Sequence, residues 1–465
     1  MQLKNRFQKI QNSIGLIDLI LLFWLSCMVH FWRISYPNSI VFDEVTFGKF
    51  LNAYAKGEYY FDLHPPLGKL LFYAVASIGR INTGFSYDKI GTIYTDSTYV
   101  WLRSLTALGG TVIPIFSALV LRGLGFSRWV AVIAALLIIF ENALIVISRT
   151  FIFDVFILTF GFASLAFGIW FHRTHKKYLG WISWILGAAA FSIKWTGLSF
   201  LGVLTLWELH SAFKTKKYWN SSRRLFFGWM SAFSFYFIIF LIHFKFTPYS
   251  GMGNDFMSAE FQSGLKGNQY YAKLNIKSLN YFEKFLELNK MMLAYQKTMN
   301  QGHPYSSSWY SWPFLVRPIY FWGNTESLLK ERIYLLGNPI LWWSVSLSLI
   351  FFILANLRNA KAWISEEISG SKSREFCLLI LFTINFIPFI FIGRIMFIYH
   401  YLVALVVGLM ILAVGLEKIA LLRPRLVWIF LGICFISFYY FSPLTYALPL
   451  SDLEYEYRLW LPSWL

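Results

Sequence analysis

At 465 residues, with 57% hydrophobic and 20% aromatic content, only 14% charged side chains and a positive mean hydropathy, the chain is far more apolar than a soluble globular domain. This composition excludes a soluble enzyme or binding module and indicates a polytopic membrane protein. The net charge of +18 does not indicate nucleic-acid binding, because Lys and Arg lie in short clusters between apolar segments, as the positive-inside rule requires. The three cysteines fall inside apolar runs, so neither a disulfide nor a cysteine-based metal site is indicated.

The chain begins with a short basic segment that leads into an apolar run over Ile14–Trp32. This run is too long for the hydrophobic part of a signal peptide, and no small-residue cleavage site follows it. We therefore predict a retained first helix with its N-terminus in the cytoplasm. Runs of about 17–25 apolar residues predict ten further spans. They cover 99–121, 129–147, 154–171, 179–192, 195–210, 225–246, 339–356, 376–392, 397–416 and 426–442.

Eleven spans place the C-terminus on the side opposite to the N-terminus, outside the cytoplasm. The short loops that this topology places inside are basic, as with Arg122 and Arg128 after the second span, which supports the orientation. The segments 179–192 and 195–210 are short for the bilayer. They are either tilted spans or the two arms of one broken hairpin.

Three short outer turns depart from the charge rule, because each holds one basic residue: Arg149, Lys194 and Arg394. One explanation is snorkelling of single side chains to lipid phosphates at helix ends. The alternative is a shared anionic ligand, since an isolated cation at a membrane edge is costly unless an anion meets it. We favour a lipid-linked phosphate, with bidentate contacts from the two arginines and a point charge from the lysine.

Two outer segments, 35–98 and 246–338, are too long to be simple connections. In the first we predict helices over Glu44–Lys56 and Pro66–Gly79, the second lying along the membrane surface. The second segment has an amphipathic stretch near Ile276–Met299, and the aromatic run that follows predicts strands or turns packed on the membrane domain. We predict one membrane domain over 1–465 with these two elaborated outer loops.

The run FDEVTFGKF and the later YYFDLHPPLGKLL, which together fill the stretch from Phe42 to Leu71, resemble the first outer loop of protein O-mannosyltransferases. The resemblance implies an all-α GT-C membrane fold of about eleven spans, with the acid pair Asp43–Glu44 on the outer or lumenal side. It also implies inverting transfer of mannose from a polyprenyl (dolichyl-type) phosphate to Ser or Thr of exported proteins. Further matches are Ser148–Arg149 with Asp154, Ile193–Gly197, His303–Ser307 before Trp312–Pro313, and Tyr399–Leu402.

The sequence also departs from the family pattern. Thr46 stands where many members have His, and Val403 replaces a Pro that often follows the His-Tyr-Leu motif. The second outer segment is too short for the three MIR repeats of the eukaryotic enzymes. This short second segment points to a prokaryotic member, in the plasma membrane.

The first loop is expected to supply the catalytic base and the sugar contacts. The resemblance puts the catalytic Asp of the family at Asp43, which would take the proton of the acceptor hydroxyl. Glu44, Asp62 and His64 would hold the donor sugar or orient the acceptor. An acid pair in a solvated loop and a structural histidine are the alternatives for these residues.

The donor phosphate is expected to meet Arg149, Lys194 and Arg394, whose charge would stabilise the leaving group. His400 and Tyr401 start a helix beside these cations, where an aromatic-belt role is the alternative. Three further residues are expected either to shape the acceptor groove or to form the aromatic core of a folded loop. These residues are His303, Trp309 and Trp312.

Other functions remain open at this point. Carboxylates favour hard divalent cations, but the cations already present and the resemblance favour a reaction without metal or other cofactor. The acceptor is a protein, or alternatively a lipid or glycan. A transporter is disfavoured, because the ionisable residues lie at the ends of the spans and no internal repeat is found. The expected partners are the lipid-linked donor, an acceptor polypeptide and the bilayer, and the sequence leaves open a dimer or association with the translocon.

Overall fold

The computed structural model describes residues 14–79, 84–298, 302–325, 327–356 and 370–464. In this part of the chain, long helices form the main body and shorter ones lie in the two outer segments. The helices of the first half are α1 Leu16–Phe31, α2 Glu44–Lys56, α3 Leu67–Ile78, α4 Thr98–Gly123, α5 Arg128–Ile139, α6 Asn142–Ser148, α7 Asp154–Thr174, α8 Lys177–Ile193, α9 Leu198–Thr215 and α10 Tyr218–Phe246. The rest are α11 Ala259–Gln262, α12 Tyr281–Thr298, β1 Ile319–Gly323, β2 Arg332–Leu335, α13 Pro339–Asn356, α14 Ser371–Phe386, α15 Leu402–Ala420, α16 Pro424–Tyr446 and α17 Asp452–Glu456.

Seven helices in the described residues are long and apolar enough to cross a membrane. They are α4, α7, α10, α13, α16 and the helical segments Lys372–Phe391 and Ile398–Ala420, which contain most of α14 and all of α15. The pair α5 and α6 meets the same condition only when taken together, with a bend of 63° between them. Every apolar run identified in the sequence is helical, but α1, α8 and α9 fall outside this set. The count of eleven spans therefore stays a prediction.

Burial separates the inner helices from the outer ones. Along α7 and α15, 67% and 72% of the apolar window is buried, whereas the value for α10 is 28%. An apolar helix that remains exposed along most of its length is expected to contact lipid. The outer face of α10 is thus a membrane-facing surface, and α7 runs through the interior of the helix bundle.

The first outer segment folds as the sequence indicated, with α2 and α3 confirming the two predicted helices. Pro66 occupies the N-cap of α3 rather than its first turn. In the second segment, α12 confirms the amphipathic helix and β1 confirms a strand in the aromatic run. Because β1 pairs with β2 in an antiparallel hairpin, the fold is not purely helical.

An irregularity in this hairpin connects the two outer segments. The register shifts between Tyr320 and Trp322, and the carbonyl of the intervening Phe321 accepts a hydrogen bond from the backbone N–H of Phe42 at 3.1 Å. The two phenylalanine rings stack with centroids 4.2 Å apart. Phe42 has a φ of +45°, a conformation rare for an aromatic residue, and these contacts stabilise it. The hairpin thereby fixes the backbone that leads into Asp43.

Candidate active site

A cavity of about 470 Å³ lies between the start of α7, the turn from α8 to α9, and the segment that joins α14 to α15. Its charged and aromatic polar side chains come from helix ends and loops: His64, Asp154, Lys194, Arg394, Tyr399 and His400. Its apolar side chains come mainly from helical turns next to those ends: Ile157, Leu158, Leu198, Ile384, Pro388, Phe389, Ile392 and Val403. The cavity is therefore amphipathic, as a ligand with a charged head and a hydrocarbon chain requires.

Lys194 and Asp154 form an ion pair in this cavity. The Lys194 ammonium donates a hydrogen bond of 2.7 Å to Oδ1 of Asp154, and it lies 5.0 Å from the ring centroid of Tyr399. Lys194 is the C-cap of α8, where the chain turns back sharply. This turn needs Gly197, because a Cβ there would lie 2.4 Å from the backbone carbonyl of Ala190.

Asp43, at the N-cap of α2, does not itself line the cavity, but it is close enough to this ion pair for both charges to act on it. Its side chain makes no cap hydrogen bond, although Asp is a favoured cap residue. The pKa of the Asp43 carboxyl is raised to about 7, mainly by burial and then by the negative charge of Asp154, while the positive charge of Lys194 opposes both effects. A carboxyl with this pKa can accept and release a proton near neutral pH.

His64 and Asp62 are held by contacts within the first loop. His64 lines the cavity, and its ring packs edge-on against Phe153. Burial, together with nearby cations of which Lys194 is the largest contributor, lowers the pKa of His64 well below its usual value, so the ring is neutral. Asp62 pairs with Lys69, which also donates a hydrogen bond of 2.8 Å to the His64 carbonyl. Asp62 is thus engaged in fixing the loop.

Glu44 does not line the cavity, and its predicted contact with the sugar or acceptor stays a prediction. The side chain is fully buried, and both carboxylate oxygens accept hydrogen bonds from Arg103, at 2.8 and 2.7 Å. The Val41 and Phe151 amides and the Tyr94 hydroxyl complete the shell. Glu44 therefore connects the Asp43 loop to α4, a structural role that an acid pair in a sequence does not reveal.

Arg149 is also absent from the cavity lining, so its predicted contact with the donor phosphate stays a prediction. Its guanidinium donates hydrogen bonds to the carbonyls of His30, Trp32 and Arg33 at the end of α1, and it lies 4.7 Å from the ring centroid of Tyr446. Cations stabilise helix C-termini in this way. Of the three outer cations, the structure brings together only Lys194 and Arg394.

The two residues of the His-Tyr motif, His400 and Tyr401, lie in different surroundings. His400 lines the cavity, its ring stacks on Trp312 at 5.9 Å, and its buried Nε2 has no hydrogen-bond partner. Its other ring nitrogen, Nδ1, forms a hydrogen bond with the backbone of Phe397. Tyr401 is only 1% exposed and packs against Trp342, outside the cavity lining. Only His400 lines the cavity, and the phosphate contact stays a prediction for both residues.

The residues predicted to form an acceptor groove do not share one surface. His303 is exposed and packs against Phe397, whereas Trp309 is half-buried against Phe386. Trp312 is completely buried, so it cannot contact an acceptor directly. Its ring supports His400 instead, and the alternative of a folded aromatic core is correct for this residue.

Two residues that matter for the site were missing from the predicted set. Asp154 forms the ion pair with Lys194, and Tyr399 lies against the same ammonium group. A signal for Asp154 was present, since a carboxylate at the first position of an apolar helix lies at the membrane edge on the side of the three outer cations. Within the described residues, no three His, Cys, Asp or Glu side chains are arranged to hold a metal ion.

Comparison with solved structures defines the class of fold. The yeast (Saccharomyces cerevisiae) Pmt1-Pmt2 complex bound to its sugar donor contains a chain with TM-score 0.87 at 20% identity, covering 99% of this chain and 94% of that one. The Archaeoglobus fulgidus oligosaccharyltransferase matches with TM-score 0.52 at 16% identity, over 96% of this chain and 57% of that one. The protein is a multi-pass membrane protein with the GT-C glycosyltransferase fold.

Sequence comparison identifies the family. Residues 20–247 match the model described as dolichyl-phosphate-mannose-protein mannosyltransferase, and residues 281–464 match the C-terminal four-helix region of protein O-mannosyltransferase. The chain belongs to the protein O-mannosyltransferase family. Dolichyl-phosphate-mannose–protein mannosyltransferase 1 of Candida albicans is 35% identical over 52% of this chain and 29% of its own, and that of Saccharomyces cerevisiae is 32% identical over 52% and 32%. The chain spans about a third of the length of these relatives.

Proposed function

We propose that this protein transfers mannose from a polyprenyl phosphate, dolichyl in type, to Ser or Thr hydroxyls of a polypeptide. Family membership supports the reaction class, and the names of the relatives supply the donor and the kind of acceptor. The observation that carries the proposal is the amphipathic cavity, whose lining includes Asp154 and Lys194, the two charges that act on Asp43. Such a cavity suits a phosphate on a hydrocarbon chain, with a base beside the sugar.

In the proposed reaction Asp43 removes the proton from the acceptor hydroxyl. The hydroxyl oxygen attacks the anomeric carbon of mannose from the face opposite to the phosphate, so the configuration inverts as the bond from carbon to phosphate oxygen breaks. The polyprenyl phosphate leaves with the bonding electron pair. Phosphate is a good leaving group, and nearby positive charge stabilises the negative charge that it carries as it departs. Lys194 and Arg394 supply this positive charge.

The neighbouring polar groups would orient the donor. His64 is neutral in its buried setting, so it would donate or accept a hydrogen bond to the sugar or phosphate rather than add charge. The unpaired Nε2 of His400 is available for the same purpose. Lys194 and Arg394 neutralise the phosphate, and we therefore propose transfer without a metal ion or other cofactor.

The reaction is tested with purified protein, a labelled polyprenyl-phosphate-mannose and a Ser/Thr-rich peptide. Label should appear on the peptide hydroxyls, should persist when divalent cations are chelated, and should be lost with Asp43→Asn. A lipid or a glycan is the alternative acceptor, so both are tested in the same assay. Label on a lipid or glycan but not on the peptide would reject the proposed acceptor.

Three further points of biology are part of the proposal. The basic short loops support an N-terminus in the cytoplasm and an active site on the outer side, and we propose a prokaryotic plasma membrane as the location. The similar yeast chain belongs to a two-protein complex, which supports pairing of this chain with a second copy, and association with the translocon is the alternative. Accessibility of single engineered cysteines from each side of intact vesicles tests the orientation.

A further inference from the structure

A second cavity, of about 530 Å³, lies at the far ends of the helices that form the active site. It is bounded by the end of α7, the start of α8, the end of α9 and the start of α10. Asp154 begins α7 in the first cavity and His172 lies near the end of α7 in the second. At 1.5 Å per residue the two sites are about 27 Å apart, close to the hydrocarbon core thickness of about 30 Å. The second cavity therefore opens at the opposite membrane face.

The second cavity carries an excess of positive charge. One carboxylate, Glu208, is buried in it and is engaged by Arg224 at 2.9 Å, with His172 at 3.8 Å. The lining of the cavity contains no second carboxylate to pair with its other Lys and Arg side chains. These side chains are Lys177, Lys217 and Arg223. Such a group of cations at a membrane edge is suited to a phosphate.

The walls of the cavity are apolar and open toward the lipid. Trp181 and Phe227 line it and are 49% and 47% exposed, on the outside of the helix bundle. Behind them, Gly228 of α10 lies so close to Trp184 of α8 that a Cβ would come within 2.3 Å of the indole. The two helices thus meet closely at the base of the cavity and leave an aromatic groove on their lipid side.

We propose that this cavity binds an anionic phospholipid from the leaflet opposite to the active site. The phosphodiester lies among Lys177, Lys217 and Arg223, and one acyl chain runs along Trp181 and Phe227. The combination of basic rim and lipid-facing aromatic wall favours a phospholipid over a free anion, which would use only the rim. The ion pair between Glu208 and Arg224 leaves the other three cations for the phosphodiester.

Binding is measured by native mass spectrometry of the full chain released from detergent, with phosphatidylglycerol added at increasing concentration. Thr215 lines the cavity and is exposed, so Thr215→Glu introduces a negative charge beside the phosphate while Thr215→Gln adds the same bulk without charge. We expect the Glu variant to weaken phosphatidylglycerol binding about tenfold and the Gln variant to leave it within about twofold. Equal binding by the two variants would overturn the proposal.

A second pair of variants removes charge instead of adding it. Lys217→Gln with Arg223→Gln deletes two cations from the cavity, whereas Lys176→Gln with Lys216→Gln deletes two exposed cations just outside its lining. Only the first pair should lose phosphatidylglycerol, and phosphatidylcholine should bind weakly to every form. Displacement of the lipid by millimolar inorganic phosphate would assign the cavity to a free anion, and equal binding of phosphatidylcholine would remove the selectivity for anionic lipid. Either result rejects the proposal.

Discussion

The Lys194 ammonium donates a hydrogen bond of 2.7 Å to the Asp154 carboxylate, joining the end of α8 to the start of α7 inside the candidate active site. The pair determines the charge that Asp43 experiences, since Asp154 raises the pKa of Asp43 and Lys194 lowers it. It also holds the lysine in the cavity before a donor arrives. A bound phosphate would share the ammonium with Asp154, and part of the charge of the leaving group is thereby neutralised in advance.

The first prediction concerns the pH dependence of the reaction. Asp43 acts as a base only when it is deprotonated, and its pKa is raised to about 7. We therefore expect kcat/KM to fall about tenfold for each pH unit below about 7 and to level off above it. Rates at several pH values with peptide well below its KM measure this limb. A profile that stays flat down to pH 5 would contradict a base with this pKa.

The Asp43→Asn variant provides the matching loss-of-function test. Turnover should fall by at least 10²-fold, because a positioned base contributes about 10²–10⁴ to the rate. Since the folded protein raises the pKa of Asp43, folding favours the protonated form, and stability declines as the pH rises through 7. At pH 8 the Asn variant should thus be at least as stable as the parent. Thermal unfolding and donor binding distinguish this from a general folding defect.

The ion pair gives a third prediction. Asp154→Asn removes the negative charge that raises the pKa of Asp43 and leaves the positive charge of Lys194 unbalanced. Both changes lower the pKa of Asp43, so the acidic limb of the kcat/KM profile should move to lower pH. Lys194→Gln should move it to higher pH. Shifts of the two variants in the same direction would disprove the electrostatic coupling.

The sequence predicted the helical membrane fold, the two outer segments and the membrane-edge position of the candidate site, because hydrophobic runs and basic loops are local features. It could not predict which outer cations share a cavity. Arg149 and Arg394 look equivalent as single charges at helix ends, but the first meets the carbonyls that end α1 and the second lines the cavity. Such partners lie more than a hundred residues away along the chain, and only packing brings them together.

Glu44 leads to a prediction about stability. It is buried and hydrogen-bonded by Arg103 through two nitrogens, so Glu44→Gln leaves the Arg103 charge without its counter-ion. Breaking a buried pair of this kind costs about 3–5 kcal/mol. We expect a marked loss of thermal stability together with reduced activity, because the pair fixes the loop that carries Asp43. Activity loss without any destabilisation would instead support direct contact of Glu44 with a substrate.

The two outer arginines allow a last comparison, between Arg149→Met and Arg394→Met. Arg149 donates hydrogen bonds to backbone carbonyls at the end of α1, and bonds to charged groups contribute about 1.5–3 kcal/mol each. Its variant should lower thermal stability while the KM for the donor changes less than about threefold. Arg394 lines the cavity, so its variant should keep near-parental stability and lose donor affinity or turnover by at least about tenfold. Donor titrations and unfolding curves for both variants show which arginine binds the donor phosphate. The reverse pattern would indicate that Arg149, and not Arg394, contacts the phosphate.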